Sequence, residues 1–503
     1  MHGKQQTISG AATEPTEPEV LVVGAGPTGL MLAAELALAG VTVVVVERRA
    51  DRSLEGSRAM GFGARTLELL DQRGVAGRFL AEGTPMQIQL FAGSSLDISD
   101  FPSRHPHGLA IPQARVEALL AEWVDELPVT VLRGRALTAI EQDASAVHAR
   151  LDDGSVLRAQ YAVGCDGGRS LVRAAADIPF EGWDASTSYL LAEGAMPDQP
   201  ALGFKEDAQG KHAIGPDPQR GPDRVRLVVQ EQPPKRGDRP ALPELRAAVE
   251  RVWGSDFGLR DVTWISRFSD AARQAASYRQ HRLLVAGDAA HVHSPMGGQG
   301  LNTGVQDAVN LGWKLAHVVK GWAGDALLDT YHEERHPVGA WVLQSTLAQT
   351  AASRVDARTA ALRSTLAELL AMDEPRRHMA GLLSGLGIRY DLGGQHPLVG
   401  WRMPDLELHG AGDASRVFDL LHDARGVLLD LTTSGQFDIT PWDERVQLVQ
   451  ASCDGPWELP VGGHVHAADA VLVRPDGYVA WAGALDDPDL LRALTTWFGE
   501  PAA

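Results

Sequence analysis

Val20-Leu21-Val22-Val23-Gly24-Ala25-Gly26-Pro27-Thr28-Gly29 is the stretch from which the fold can be read. Four apolar residues running into a glycine turn suit a strand buried on both faces. Gly29–Ala39 is rich in leucine and alanine and favours helix, and Gly40 is placed to end it. Val41–Val46 is valine apart from Thr42 and reads as a second strand. Strand, helix and strand within about 30 residues make a βαβ unit with parallel pairing. The glycines at 24, 26 and 29 let the chain turn sharply, admit a pyrophosphate against bare backbone and bring helix close to strand. Pro27 and Thr28 lie within that turn, and the helix start offers the phosphates free N–H groups. Glu47 follows the second strand, where a carboxylate can hold ribose hydroxyls. A glycine-tolerant turn with a chance acidic residue is the competing reading.

Outward from this unit, Tyr161–Cys165 and Arg282–Ala286 read as further buried strands, each running into an aspartate–glycine or glycine–aspartate pair. Between them, residues 180–275 are rich in turns and carry alternating runs such as Arg224–Gln230. This is the pattern of a mostly antiparallel sheet inserted as a second domain. Leu301–Ser384 is helical in pattern, and Gly393, Gly394, Pro397 and Pro404 suggest a linker. The last hundred residues suit a small α/β domain, with strands at Val427–Leu431 and Val446–Ala451. A hairpin joins Ala470–Arg474 to Tyr478–Trp481 through Pro475-Asp476-Gly477. Asp487-Pro488 starts a helix with an apolar face of Leu490, Leu491, Leu494 and Trp497.

A length of 503 residues suits two or three domains, and 44% hydrophobic with 22% charged residues is ordinary for a globular protein. Acidic residues outnumber basic ones by 65 to 46, and the net charge of -19 repels nucleic acid and anionic membrane. Two distant cysteines, Cys165 and Cys453, argue against a disulfide scaffold and fit a reducing cytoplasm. Residues 1–18 are polar, without the apolar centre of a signal peptide, and read as a disordered tail. No apolar run reaches the length of a membrane span. The expectation is a soluble, cytoplasmic protein with no membrane and no nucleic acid as partner.

Two further segments carry chemistry. Gly287-Asp288-Ala289-Ala290-His291 follows a strand, where open α/β sheets bind ligands, and Asp288 can accept from hydroxyls there. Ser294-Pro295-Met296-Gly297-Gly298-Gln299-Gly300-Leu301-Asn302 then leads into a long helix. It presents consecutive N–H groups to something flat and electron-rich, such as a reduced isoalloxazine, though a capping loop without a ligand is the plainer alternative. Gly164-Cys165-Asp166-Gly167-Gly168-Arg169-Ser170 also ends a strand, and Asp166 and Ser170 would equally serve as helix caps. His291 and His293 tempt a metal reading, but no third ligand stands nearby and the expectation is no metal. Trp183, Tyr189, His212 and Trp264 fall in the inserted sheet, where core packing competes with lining an aromatic pocket.

Together, in this order, these segments resemble the group A (para-hydroxybenzoate hydroxylase-like) flavoprotein monooxygenases over nearly the whole chain. Ser57-Arg58-Ala59 through Ala64-Arg65-Thr66-Leu67-Glu68, and Asp307–Lys314, are similar to the actinomycete aromatic polyketide hydroxylases of anthracycline and angucycline type. The resemblance implies an α/β fold with three parts. A Rossmann-like FAD-binding domain would span 19–179 and 276–390, a substrate-binding sheet 180–275, and a thioredoxin-like domain 396–503. That last domain lacks Cys-x-x-Cys, which leaves it packing or dimer contact rather than redox work. The implied ligand set is Gly24, Gly26, Pro27, Thr28 and Gly29 on pyrophosphate, Glu47 on adenosine ribose, and Gln113 and Arg115 on the flavin side from a helix start, with Arg48 and Asp166 also on the cofactor. Asp288 would hold the ribityl–pyrophosphate, while Pro295, Gly298, Gln299, Gly300, Leu301 and Asn302 border the ring.

The implied activity is hydroxylation of a polycyclic aromatic polyketide with O2 through a C4a-hydroperoxyflavin, with no side chain marked as catalytic. With a single dinucleotide fingerprint, NADPH or NADH would serve as a transient co-substrate without its own domain. Baeyer–Villiger oxygenation and a non-catalytic flavin-containing binding protein stay open; a halogenase is disfavoured by the absence of Trp-x-Trp-x-Ile-Pro.

Overall fold

In the computed structural model, residues 17–502 are described except 55, 57–58, 208–209, 218–220, 236–239, 296, 433–436 and 454–456. Most of the expected N-terminal tail, and Ser57 and Arg58, therefore lie outside the described residues. The central sheet runs in the order Arg279–Gln280, Leu283–Val285, Tyr161–Gly164, Val20–Val23, Val43–Glu47, Val129–Arg133. Its pairings are parallel except at the Arg279–Gln280 edge. Val20–Val23 is buried at every residue, as its unbroken apolar run requires.

The first helix spans Pro27–Leu38, two residues ahead of its expected start, because Pro27 needs no N–H at the first helical position. The second strand is Val43–Glu47, not Val41–Val46. The Val41 amide is taken by the Leu36 carbonyl, and Thr42 is held by the Glu19 carboxylate at 2.8 Å, so both residues belong to the turn. The long helix likewise begins at Gln299 rather than Leu301.

The segment between these parallel strands forms an antiparallel sheet of Gly203–Asp207, Gly210–Pro216, Arg224–Glu231, Ser188–Ala195 and Arg260–Ser269. Alternation divides its faces. Leu190, Ala192, Leu227 and Val229 pack with Leu245 and Val249 of the helix Leu242–Trp253. Tyr189 stacks on Phe268 with ring centroids 4.9 Å apart.

Near the C-terminus, Val446–Gln450, Gly426–Asp430, Ala470–Val473 and Val479–Gly483 form a four-stranded sheet with one parallel pair. Asp487 caps the helix Pro488–Phe498 by accepting from the Asp489 amide. Leu490, Leu494 and Trp497 are buried, but Leu491 is half exposed: one residue turns a helix by about 100°, off the stripe. The expected linker is only partly one, since Leu398, Val399 and Met403 are buried in the C-terminal core.

The turn Pro475-Asp476-Gly477 is not at the surface. Arg474 and Asp476 are buried, and Arg474 reaches both Glu334 carboxylate oxygens at 2.7 Å. Arg73 donates to the Pro475 carbonyl at 2.8 Å while its other contacts include a buried pair with Glu35.

His317 sits beside this interface, against Trp313, Trp322 and Phe498. Burial, with Arg445 and Lys320 nearby, pushes its pKa down from 6.5 to about 3. The unfolded chain therefore takes up a proton near pH 6.5 that the folded chain refuses until about pH 3. This contribution is intact above pH 6.5 and is lost on acidification at up to about 1.4 kcal/mol per pH unit. His317→Phe is expected to flatten the fall in urea-unfolding stability between about pH 6 and about pH 4. An unchanged slope would contradict the assignment.

Candidate active site

A cleft of about 1080 Å3 opens at the C-terminal ends of the parallel strands and extends to the antiparallel sheet. At its first wall the three glycines divide their duties. Gly24 has φ of 106°, and a Cβ there would strike the Cys165 carbonyl. A Cβ on Gly29 would strike the Gly24 carbonyl. A Cβ on Gly26 would meet nothing within 4 Å, so this residue turns bare backbone to open space at the head of the helix. Thr28 lines the cleft, and its side chain packs against Gly287 and Gly304.

Glu47 lines the cleft and accepts from the amides of Ala25 at 2.7 Å and Arg49 at 2.8 Å. Burial opposes its charge, yet those two amides and the Arg49 guanidinium outweigh it and hold its pKa below the usual range. Arg49, which sequence reasoning passed over for Arg48, also pairs with Glu117 at 2.9 Å. Its Nη1 is buried with no partner among the described residues. Arg48 is exposed at the cleft edge.

Gln113 starts the helix Gln113–Asp125, lines the cleft and donates to Glu117 at 3.0 Å. Arg115 does not belong to this wall. It forks onto Glu82 at 2.6 and 2.8 Å on the outer surface, because two residues turn a helix by about 200°.

Asp166 accepts from the Leu171 amide at 2.7 Å through one oxygen, while its buried Oδ1 has no partner among the described residues. Ser170 caps the short helix after it by accepting from the Arg173 amide. Capping and facing the cleft are thus both true of this turn. Asp288 presents an exposed carboxylate beside Gly300. Gly297 and Gly298 are left-handed, with φ of 79° and 64°, and turn Pro295 and the first amides of Gln299–Val319 to the cleft. Met296 lies outside the described residues.

Two of the loop residues that line the cleft also brace it through their side chains. Gln299 donates to the Leu383 carbonyl at 3.0 Å. Asn302 accepts from the Gly63 amide at 2.6 Å and the Thr66 hydroxyl at 2.7 Å.

His291 pairs with buried Asp307 at 2.7 Å, and His293 faces the Ser294 carbonyl at 2.8 Å, its pKa lowered by burial. Among the described residues, no group of three or more His, Cys, Asp or Glu could hold a metal. Cys165 lines the cleft, but burial pushes its thiol pKa well up, which disfavours a nucleophilic role.

The far wall is apolar. Met86, Ile88 and Leu90 are 41%, 46% and 59% exposed, facing Leu191 and Phe268 from the antiparallel sheet. Trp183, Tyr189, His212 and Trp264 are not among the lining residues; Trp183 is exposed, and Tyr189 and His212 are buried. Apolar side chains left open inside a cleft suit a flat aromatic ligand.

The polar half fits a flavin dinucleotide: bare backbone at Gly26, a helix N-terminus, buried orphan atoms on Asp166 and Arg49, and a second helix N-terminus at Gly298. The family described as FAD binding domain matches residues 17–346, and the aromatic-ring hydroxylase C-terminal family matches 396–501. This chain belongs to the FAD-dependent aromatic-ring hydroxylases.

This hydroxylase is 43% identical to anhydrotetracycline monooxygenase of Streptomyces rimosus over 507 residues, covering 96% of this chain and 99% of that one. It is 42% identical to rifampicin monooxygenase of Streptomyces venezuelae, with 96% and 99% covered. The solved structure of CabE, an aromatic hydroxylase from angucycline biosynthesis, matches with a TM-score of 0.89 and 42% identity, covering 97% of this chain and 100% of that one. The hydroxylase uses FAD, and among the described residues no helix is long and apolar enough to cross a membrane.

The glycines make a paired prediction. Gly26→Ala has room in the protein and should leave thermal stability within about 1 °C, while FAD affinity falls about tenfold or more. Gly29→Ala should lower thermal stability of the FAD-free protein as well. Equal FAD affinity in Gly26→Ala and the wild type, by flavin fluorescence titration, would take Gly26 out of the phosphate site.

Proposed function

We propose that the protein hydroxylates a polycyclic aromatic polyketide, using O2 and NADPH or NADH. The observation that carries this is a single cleft with a dinucleotide-shaped polar half and an open apolar half. Bound FAD supplies the activation of dioxygen; the chain's residues bind, orient and exclude water. In this reading Gly24, Gly26, Gly29 and the helix start at Pro27 hold the pyrophosphate. Glu47 takes ribose hydroxyls, with both its oxygens already fixed by backbone amides. Asp288 takes ribityl hydroxyls, and the amides at Gly298–Asn302 stabilise negative charge on the ring edge.

Met86, Ile88, Leu90, Leu191 and Phe268 would sandwich the substrate rings and keep the reacting carbon dry. No lining side chain is required as a nucleophile, in keeping with the raised Cys165 pKa. The division into an FAD-binding part, an inserted substrate sheet and a thioredoxin-like C-terminal domain belongs to the same reading. It is supported by the separate hydrophobic cluster of the inserted sheet and by a cluster on one face of the C-terminal sheet, whose other face packs against Trp313 and Leu327.

The test is turnover of FAD-loaded protein with NADPH or NADH against a panel of polycyclic phenols under 18O2. The expected product carries one labelled oxygen on an aromatic carbon. Insertion of that oxygen beside a carbonyl would turn the assignment to Baeyer–Villiger chemistry. Hydrogen peroxide alone with every phenol would leave only a flavin-containing binding protein.

A further inference from the structure

Asp288 is the group assigned to the ribityl chain, yet among the described residues no hydrogen bond reaches its carboxylate. Only the backbone of its turn aims it. That turn, Gly287–Ala289, is short and starts from a left-handed Gly287 with φ of 61°.

One buried side chain grips the turn on both sides. Asp307, two turns along the helix Gln299–Val319, accepts through Oδ2 from the Gly287 amide at 3.2 Å and faces His291 Nε2 at 2.7 Å. Its Oδ1 accepts from Arg335 Nε at 2.7 Å. Arg335 in turn donates to the Thr303 carbonyl at 3.2 Å and the Tyr390 hydroxyl at 3.1 Å. Asp307 and Arg335 are fully buried, and His291 nearly so. The residue before Asp288 and the third after it are therefore both pinned to the helix whose first turn carries the ring-facing amides. A carboxylate is suited to this because it offers several acceptor sites to donors arriving from different directions. Charge-assisted bonds of this length also hold geometry tightly.

We propose that Asp307 is a positioning residue for the cofactor site, fixing the direction of the Asp288 carboxylate relative to the amides of the helix Gln299–Val319. It touches no ligand and acts through Asp288, so the proposal rests on the reading that Asp288 holds the ribityl chain.

Removing Asp307 alone would strand the buried Arg335 charge, so the pair is exchanged for apolar groups as Asp307→Leu with Arg335→Met. FAD dissociation constants are measured by recovery of flavin fluorescence from the full-length holoenzyme. Thermal stability of the FAD-free protein is followed in parallel. Four forms are compared: wild type, the Leu/Met pair, Asp288→Ala, and all three changes together.

Asp288→Ala is expected to weaken FAD binding about tenfold or more, and the Leu/Met pair about fivefold. The combination should lie within about twofold of Asp288→Ala alone, because a positioning residue has nothing left to position. Full multiplication of the two losses would show that the pair supports the site generally and would overturn the proposal. An unchanged affinity in the Leu/Met pair would also overturn it. An unchanged affinity in Asp288→Ala would instead remove Asp288 from the site, and the proposal with it. Should the Leu/Met pair not fold, His291→Phe, which keeps the Asp307–Arg335 pair, runs the same cycle with the same outcomes.

Discussion

Two helices cross so closely that side chains are forbidden where they touch. A Cβ on Gly304 would strike the Thr28 hydroxyl, and one on Gly312 would strike the Glu35 stem. The helices are Pro27–Leu38 and Gln299–Val319, far apart in sequence. Each begins at the cleft, so the crossing brings two helix N-termini, and two sets of unpaired amides, to one ligand. A side chain at Gly304 or Gly312 would push the two helices, and with them the two loops at their starts, apart. The rest of the site is built on this spacing.

Buried ions hold the surrounding elements. Glu334 and Arg335 are neighbours on the helix Ala326–Ala352, and they reach in different directions. Glu334 binds Arg474 in the C-terminal hairpin, while Arg335 binds Asp307 beneath the Asp288 turn. Lys314 joins the same cluster, its pKa lowered to about 8 chiefly by burial, with Glu334 opposing. Groups so fully desolvated contribute little net stability but tolerate few alternative arrangements, because an unpaired member is costly. The C-terminal domain is thereby anchored to the helices behind the flavin site. Its hairpin turn is part of the neighbouring core.

The apolar wall follows from the antiparallel sheet's alternation. One face is committed to the helix Leu242–Trp253, which leaves Leu191 and Phe268 on the other. Open methionine, isoleucine and leucine side chains opposite them give a slot whose natural content is a flat, largely apolar molecule.

Local rules carried much of this. Glycine spacing, a valine strand and Asp-Gly pairs at strand ends depend on backbone geometry within a few residues, so the amino-acid sequence by itself determined the parallel pairing, the glycine turn and the identity of Asp166 and Asp288 as cleft residues. The helices start at Pro27 and Gln299, two residues before their apolar patterning, because their first residues are proline, glycine or polar. Arg115 lies outside the cleft while Arg49 joins Arg48 in lining it, because periodicity tells which residues share a face but not which face meets the cleft. The pairs Asp307–Arg335 and Glu334–Arg474 left no local signal: their members lie 28 and 140 residues apart, and a buried charge looks like a surface charge until its partner is known. Only the tertiary structure decided those pairings. Desolvation and ion pairing depend on distance in space, which the chain's order does not state.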